Sequence, residues 1–279
     1  NFGAGMGLAM VVFSISALYY ENRWMKIYLL AVAAAACYGM LISGTRSALA
    51  VPFAGYAVFV VLSRNFRMVV AGIILIIGAF VFLNFTSIGQ GNSIIRRARS
   101  AFNTQDASFQ VRLENQARMR ALMKDKPFGA GLGHGGGKAK VFAPDAPLSQ
   151  IPTDSWFVMI WVETGIVGLL LHIGILLYIL GRGAFLVAFR LRNNQLRGFT
   201  AALISGISGV VVMSYGNEVL GQIPTGAIIY MSMAFIFLSP RFDKELEEAE
   251  QAKHAVPGKN LLALNPHSMT ALPSTLAKE

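Results

Sequence analysis

Ionisable side chains that interrupt apolar sequence are the residues of this chain best placed to do chemistry. Arg46 stands in the three-residue turn Gly44-Thr45-Arg46, between two apolar runs. A guanidinium group in such a place is costly unless it has a partner or a ligand, and its planar fork matches phosphate oxygens. An arginine that snorkels to the membrane interface is the alternative. Because Arg46 has no charged neighbours in sequence, we favour a bound anion.

Glu163 is a carboxylate inside another apolar run. It lies about eight residues into a predicted helix, and at about 1.5 Å per residue this is roughly 12 Å below the helix start. A carboxylate at that depth should be paired or functional. His172, deeper in the same run, is expected to be hydrogen-bonded between helices rather than catalytic.

A basic segment separates two groups of apolar runs. Between residues 86 and 155 it has ten Lys or Arg and five Asp or Glu. Such a cluster binds an anion, such as a diphosphate or an acidic glycan, through charge-assisted hydrogen bonds. Attraction to anionic lipid headgroups is the alternative, and the charge alone does not choose between them. The basic residues are Arg96, Arg97, Arg99, Arg112, Arg118, Arg120, Lys124, Lys126, Lys138 and Lys140.

One helix is predicted inside this segment. Residues 111–124 have Leu113, Ala117, Ala121 and Leu122 at helical spacing. Pro127 ends the helix, because proline lacks the N–H that would continue it.

A glycine-rich stretch, residues 127–137, follows this helix. Its G-x-G-x-x-G match at Gly131, Gly133 and Gly136 follows a helix rather than a strand, which argues against a dinucleotide site. Glycines there would still let the backbone approach a phosphate or a sugar closely. His134, the imidazole of this stretch, is either a solvated loop residue or a proton carrier.

The sequence Thr153-Asp154-Ser155-Trp156 opens the next apolar run. Asp154 or Ser155 is expected to cap that helix through its free backbone N–H groups. Trp156 and Trp161 are expected to anchor the helix at the membrane interface.

The composition requires an apolar solvent around much of this chain. Hydrophobic residues make up 54% of the 279 positions and charged residues 14%, against roughly 25% charged in soluble domains. We therefore predict an all-α, polytopic transmembrane helix bundle with one long, partly helical loop. The predicted spans lie near residues 4–20, 25–43, 47–63, 67–84, 156–180, 198–214 and 222–239.

The charges of the short connections orient this bundle. Basic residues fall between spans one and two, three and four, and five and six, which puts those connections in the cytoplasm. We therefore predict four spans in residues 1–85, an outward loop in 86–155, three spans in 156–240 and a disordered cytoplasmic tail in 241–279. Because the chain starts with Asn1-Phe2 and is apolar by Leu8, further spans are expected to precede it.

Three of these elements together resemble the O-antigen ligase and polymerase superfamily of bacterial envelope glycan assembly. Ser43-Gly44-Thr45-Arg46-Ser47-Ala48 resembles its Ser/Thr-Arg-Gly/Ser-Ala element at the outer end of a span. Arg112 followed by Pro127-Phe128-Gly129-Ala130-Gly131 resembles its loop arginine and Pro-x-x-Gly-x-Gly. Thr153-Asp154-Ser155-Trp156-Phe157 with Glu163-Thr164-Gly165-Ile166-Val167-Gly168 resembles His-Asn-x-Phe/Tyr-Leu and Glu-x-Gly-x-x-Gly.

This resemblance implies transfer of a glycan from undecaprenyl diphosphate to an acceptor hydroxyl at the periplasmic face of the bacterial inner membrane. It implies no metal, nucleotide or other cofactor, and no nucleic-acid partner; the partners would be the lipid-linked glycan, an acceptor glycan or lipid, and membrane lipids. Arg46 and Arg112 would hold the diphosphate, supported by Arg118, His134 and Glu163. The family histidine is absent here, and Thr153 or Asp154 occupies its place; Asp154 becomes the candidate general base.

Other functions remain open at the level of sequence. Polymerases and ligases share these motifs, so the sequence does not choose between them. A transporter would use Glu163 and His172 to line a path through the membrane. A non-catalytic envelope assembly protein would explain the missing histidine.

Overall fold

The part of the chain that the structure describes contains helices and no strands. The computed structural model describes residues 2–63, 66–86, 91, 95–96, 99, 107–136 and 139–255. Its α-helices are α1 (Phe2–Ala17), α2 (Arg23–Ile42), α3 (Ala50–Leu62), α4 (Phe66–Phe85), α5 (Ala107–Leu122), α6 (Ala139–Phe142), α7 (Trp156–Phe189), α8 (Asn194–Met213) and α9 (Thr225–Ala255). Short 3-10 turns lie at Arg46–Leu49, Pro147–Gln150 and Val219–Gly221. The predicted all-α bundle is confirmed.

Several helices have the length and composition of membrane spans. Among the described residues, α2, α7, α8 and α9 are long and apolar enough to cross a bilayer. The helices at the predicted first and third spans, α1 and α3, are apolar but shorter. The chain is therefore a multi-pass membrane protein, whereas the number of seven full crossings remains a prediction.

Helix α8 lies at the centre of the bundle and packs on small residues. A methyl group on Gly209 would collide with the backbone carbonyl of Val51, and one on Gly55 would lie 3.0 Å from the carbonyl oxygen of Ser205. Helices in membranes associate through such close backbone contacts. Helix α3 is thereby held against α8, and the 3-10 turn that precedes α3 lies beside the C-terminal end of α8.

Helix α9 corrects the prediction of a disordered tail from residue 241. The helix continues past Pro240 to Ala255. Ser239 donates a hydrogen bond of 2.8 Å to the carbonyl of Ile236, the group that Pro240 leaves without its usual amide donor. The buried carboxylate of Asp243 then accepts hydrogen bonds from the backbone amides of Arg192 and Asn193, at 3.0 and 2.9 Å. The rest of the predicted tail, residues 256–279, lies outside the described residues.

Helix α7 reverses direction at Gly165. Gly165 has φ 68° and ψ −170°, which no helix contains. In a straight helix Trp156 and His172 would be about 24 Å apart along the axis, yet Nε1 of Trp156 donates a 3.0 Å hydrogen bond to Nε2 of His172. The first part, residues 156–164, therefore folds back along the second part, residues 166–189. At about 1.5 Å per residue the second part alone is about 36 Å long and can cross the bilayer.

This reversal corrects two predictions. The single span at 156–180 is replaced by a short folded-back helix and a span that continues to Phe189. Glu163 lies next to the reversal rather than deep below a helix start. The indole of Trp156 is bonded to His172 and its ring packs on Gly221, while its place at the membrane interface stays a prediction.

Candidate functional site

Polar residues from four separate parts of the chain line an open cavity of about 420 Å³. Arg112 comes from α5 and Lys140 from α6, Asp154 precedes α7, and Glu218 precedes the 3-10 turn at Val219–Gly221. The amides of Asn217 and Gln222 also line it. The cavity therefore combines cations, carboxylates and amides, which suits a ligand with both anionic and hydroxyl groups.

Arg112 is directed to the cavity by the face of α5 on which it lies. Met119 and Met123, seven and eleven residues further on, share that face and are buried against Val162 of α7. The predicted helix is present, but its apolar residues face outward, with Leu113 exposed by 42%. The apolar residues that indicated this helix therefore do not mark its buried side.

The turn at Arg46 lies close to Arg112. A methyl group on Gly216 would lie 3.3 Å from Nη1 of Arg112 and 3.5 Å from Cβ of Ser47. Ser47 is the chain neighbour of Arg46 in the 3-10 turn that precedes α3. The structure thus brings the two predicted diphosphate-binding elements together at Gly216, although Arg46 itself is not among the residues that line the cavity.

Ser155 caps α7, which leaves Asp154 with a different position. The hydroxyl of Ser155 accepts the amide of Val158 at 3.5 Å, and Ser155 is buried. Asp154 is exposed on the cavity wall and has φ 50°, a left-handed conformation that few residues other than glycine adopt. Between the two capping candidates the structure selects Ser155.

Glu218 is a site residue that sequence reasoning missed. Its carboxylate is hydrogen-bonded to the hydroxyl of Thr153, which is 4% exposed. The two residues are 65 positions apart in sequence, so no local pattern connects them. The available signal was the position of Glu218 in a short polar link at the predicted outer face. Lys140 was counted among the basic residues of the loop but was not proposed for the site.

The glycine-rich stretch docks on the reversal of α7. The amides of Ala130 and Gly131 donate to the carbonyls of Val162 and Glu163, at 2.8 and 3.1 Å, and Val167 donates to the carbonyl of Pro127 at 3.4 Å. The loop thereby satisfies backbone groups that the interrupted helix leaves without partners. The glycine motif at 127–131 and the glycine motif at 163–168 are therefore in direct contact.

Glu163 holds this loop as well. Its Oε1 accepts a 2.9 Å hydrogen bond from the amide of Gly133. The pairing that its position required is present, and the partner is the loop backbone. Glu163 therefore supports the loop that precedes the cavity-lining residues Gly136 and Lys140.

The remaining candidates lie away from the cavity lining. Arg118, on another face of α5 from Arg112, forms an exposed ion pair of 2.6 Å with Glu114. His134 is half-buried, and its Nδ1 has no hydrogen-bond partner among the described residues. His172 is hydrogen-bonded as expected, but to Trp156 of the same folded-back helix. Lys138 lies outside the described residues.

Comparisons with known proteins agree with the motifs of this site. A family model described as O-antigen ligase matches residues 29–173, just over half of the chain. The chain is also 26% identical over 162 residues to an O-antigen polymerase of Salmonella muenchen, an alignment that covers 55% of this chain and 38% of that relative. No solved structure matches. The matched region includes the turn at Arg46, the loop arginine Arg112, Asp154 and the reversal of α7.

Proposed function

Since this chain belongs to the O-antigen ligase family, we propose that it transfers a glycan from undecaprenyl diphosphate to an acceptor hydroxyl, as a ligase or a polymerase. The observation that carries this proposal is the cavity that places Arg112 and Lys140 together with the carboxylates of Asp154 and Glu218. The two cations can bind a diphosphate, and the two carboxylates can accept hydrogen bonds from sugar hydroxyl groups.

Arg112 and Arg46 are proposed to hold the diphosphate. A guanidinium fork donates two parallel hydrogen bonds to phosphate oxygens. As the bond between the sugar and the diphosphate breaks, negative charge grows on the leaving oxygen, and fixed cations stabilise that charge. The contacts of Gly216 with Arg112 and Ser47 support a joint role for the two arginines.

Asp154 is proposed to accept the proton of the acceptor hydroxyl. The acceptor oxygen bonds to the anomeric carbon as its proton passes to the carboxylate, and undecaprenyl diphosphate leaves with the electron pair of the broken C–O bond. Because Ser155 supplies the helix cap, the Asp154 carboxylate is available for this task. The proposed reaction uses no metal, nucleotide or other cofactor.

The proposed site lies at the outer face of the bacterial inner membrane. Arg23 and Lys26 lie in the first turn of α2, next to its connection with α1, and Arg190 and Arg192 lie between α7 and α8. The positive-inside rule assigns both connections to the cytoplasm. The loop with Arg112 and the link with Glu218 then face the periplasm, and the end of α9 is cytoplasmic.

Transport has less support than glycan transfer. The two intramembrane groups that suggested a solute path are engaged within the protein: Glu163 accepts from Gly133, and His172 accepts from Trp156. Their contacts serve the folded-back helix and the docked loop. Neither Glu163 nor His172 is among the residues that line the polar cavity.

Glycan transfer by the purified full-length protein tests this proposal. The donor would be an undecaprenyl-diphosphate oligosaccharide in detergent with EDTA, offered with lipid-linked and free oligosaccharide acceptors. We expect an elongated or lipid-attached product together with released undecaprenyl diphosphate, both detected by mass spectrometry. Failure of every acceptor would contradict the proposal and favour a non-catalytic assembly protein.

A further inference from the structure

The link between α8 and α9 forms one wall of the cavity and is held rigidly. The amide of Trp156 donates to the carbonyl of Ser214 at 3.0 Å and to that of Asn217 at 3.3 Å. The ring of Trp156 also packs on Gly221, where a methyl group would collide with it. Both ends of the link are thus fixed to the folded-back part of α7, so the side chains between them keep a defined position.

Glu218 presents an oriented carboxylate from this link. Its Oε1 is engaged by the hydroxyl of Thr153. Its Oε2 lies near the glycine-rich loop, 3.3 Å from where a methyl group on Gly136 would be. Glu218 and Gly136 both line the cavity, so a ligand hydroxyl in the cavity can reach this carboxylate.

The neighbours of Glu218 extend this surface with neutral polar groups. Asn217 and Gln222 line the same cavity, and amides both donate and accept hydrogen bonds. Vicinal hydroxyl groups of a sugar also donate and accept, and an ionised carboxylate forms short, strong hydrogen bonds with them. The cavity volume of about 420 Å³ is within the range of ligand sites.

We propose that Glu218, oriented by Thr153 and flanked by Asn217 and Gln222, binds the hydroxyl groups of the acceptor sugar. This inference rests on the proposed function, because it assigns the second substrate of that reaction to the link between α8 and α9. Arg112 and Asp154 have separate tasks. Sugar binding at Glu218 requires neither a donor nor turnover.

Saturation-transfer difference NMR on the full-length protein in detergent tests this site without the donor. The probes are methyl glycosides of glucose, galactose, mannose and N-acetylglucosamine. We expect a saturation-transfer signal from at least one glycoside. This signal should be reduced at least fivefold in Glu218→Gln, which keeps the side-chain shape and loses the charge. Thr153→Val should reduce the signal similarly, whereas Thr153→Ser, which keeps the hydroxyl, should give the wild-type signal.

A matched control separates this site from the general acidity of the loop. Glu114→Gln removes an exposed carboxylate that pairs with Arg118 on α5, and it should leave the signal unchanged. No signal with wild type, or equal signals in wild type and Glu218→Gln, would overturn the proposal. Sugar binding without glycan transfer would instead leave this site intact and contradict the proposed function.

Discussion

At the level of single residues, Asp154 and Ser155 are chain neighbours with different environments. Ser155 is buried and caps α7, whereas Asp154 is exposed on the cavity wall in a left-handed conformation. Such a conformation costs on the order of 1–3 kcal/mol outside glycine. A residue kept in it at a cavity is a candidate for function, which supports the assignment of the base to Asp154.

Replacement of Asp154 tests this assignment. Asp154→Asn keeps the size of the side chain and removes the proton acceptor, so we expect the rate of glycan transfer to fall by about 100-fold or more. Asp125→Asn, an exposed carboxylate of the same loop, is the control and should transfer normally. If the rate of Asp154→Asn were within threefold of wild type, another group would have to accept the proton of the acceptor hydroxyl.

Sequence reasoning found part of the cavity at this scale. Arg112 and Asp154 were predicted and do line it, because charge beside apolar sequence is costly and therefore informative. Glu218 was missed since its partner Thr153 is distant in sequence. Arg118 was proposed but pairs with Glu114, because net charge does not say which face of a helix a residue occupies.

At the level of elements, the reversal of α7 and the docked glycine loop form one unit. Gly165 is left-handed, and any side chain on it would collide with the carbonyl of Pro127. A side chain on Gly129 would likewise collide with the carbonyl of Glu163. The unit positions α5 and the start of α7, which supply Arg112 and Asp154.

Alanine substitutions in α7 test this unit. Gly165→Ala should destabilise the protein by about 2 kcal/mol or more, because it adds backbone strain and a steric collision. It should also speed trypsin cleavage after Lys124 as the loop detaches. Gly174→Ala, at a position of α7 with open space around it, should be neutral or slightly stabilising. Equal thermal stability and equal cleavage rates in the two variants would contradict the docking.

Hydropathy predicted where α7 lies but not its reversal. The run from Trp156 to Leu180 is mostly apolar, and apolarity does not distinguish a straight span from a folded-back one. The deciding features are the left-handed Gly165 and a loop that supplies backbone hydrogen bonds from 30 or more residues away. The same limitation applies to α9, whose continuation depends on Asp243 and the start of α8.

At the level of the whole molecule, the proposal requires all cavity residues to lie on the outer side of the membrane. The link with Glu218 and the start of α7 meet through backbone hydrogen bonds, so they lie on one side. Arg192 and Asp243 meet at the opposite ends of α8 and α9. The structure is therefore consistent with one polar cavity and one helical, charged end on opposite sides.

Cysteine labelling tests this orientation. In a Cys37→Ala background, Ala117→Cys on α5 should react with a membrane-impermeant maleimide in intact spheroplasts. Ala252→Cys near the end of α9 should react only after the membrane is permeabilised. Both positions are exposed, so the reverse pattern would mean that the bundle is inserted the other way and that the cavity faces the cytoplasm.

The most direct test of the central claim is glycan transfer from undecaprenyl-diphosphate oligosaccharide by the full-length protein in two matched arginine variants. Arg112→Lys keeps the charge in the cavity but removes the guanidinium fork, whereas Arg118→Lys makes the same change at an exposed ion pair of the same helix. We predict at least a tenfold loss of kcat/KM for Arg112→Lys and wild-type values for Arg118→Lys. Equal activity of the two variants would contradict diphosphate binding at this cavity.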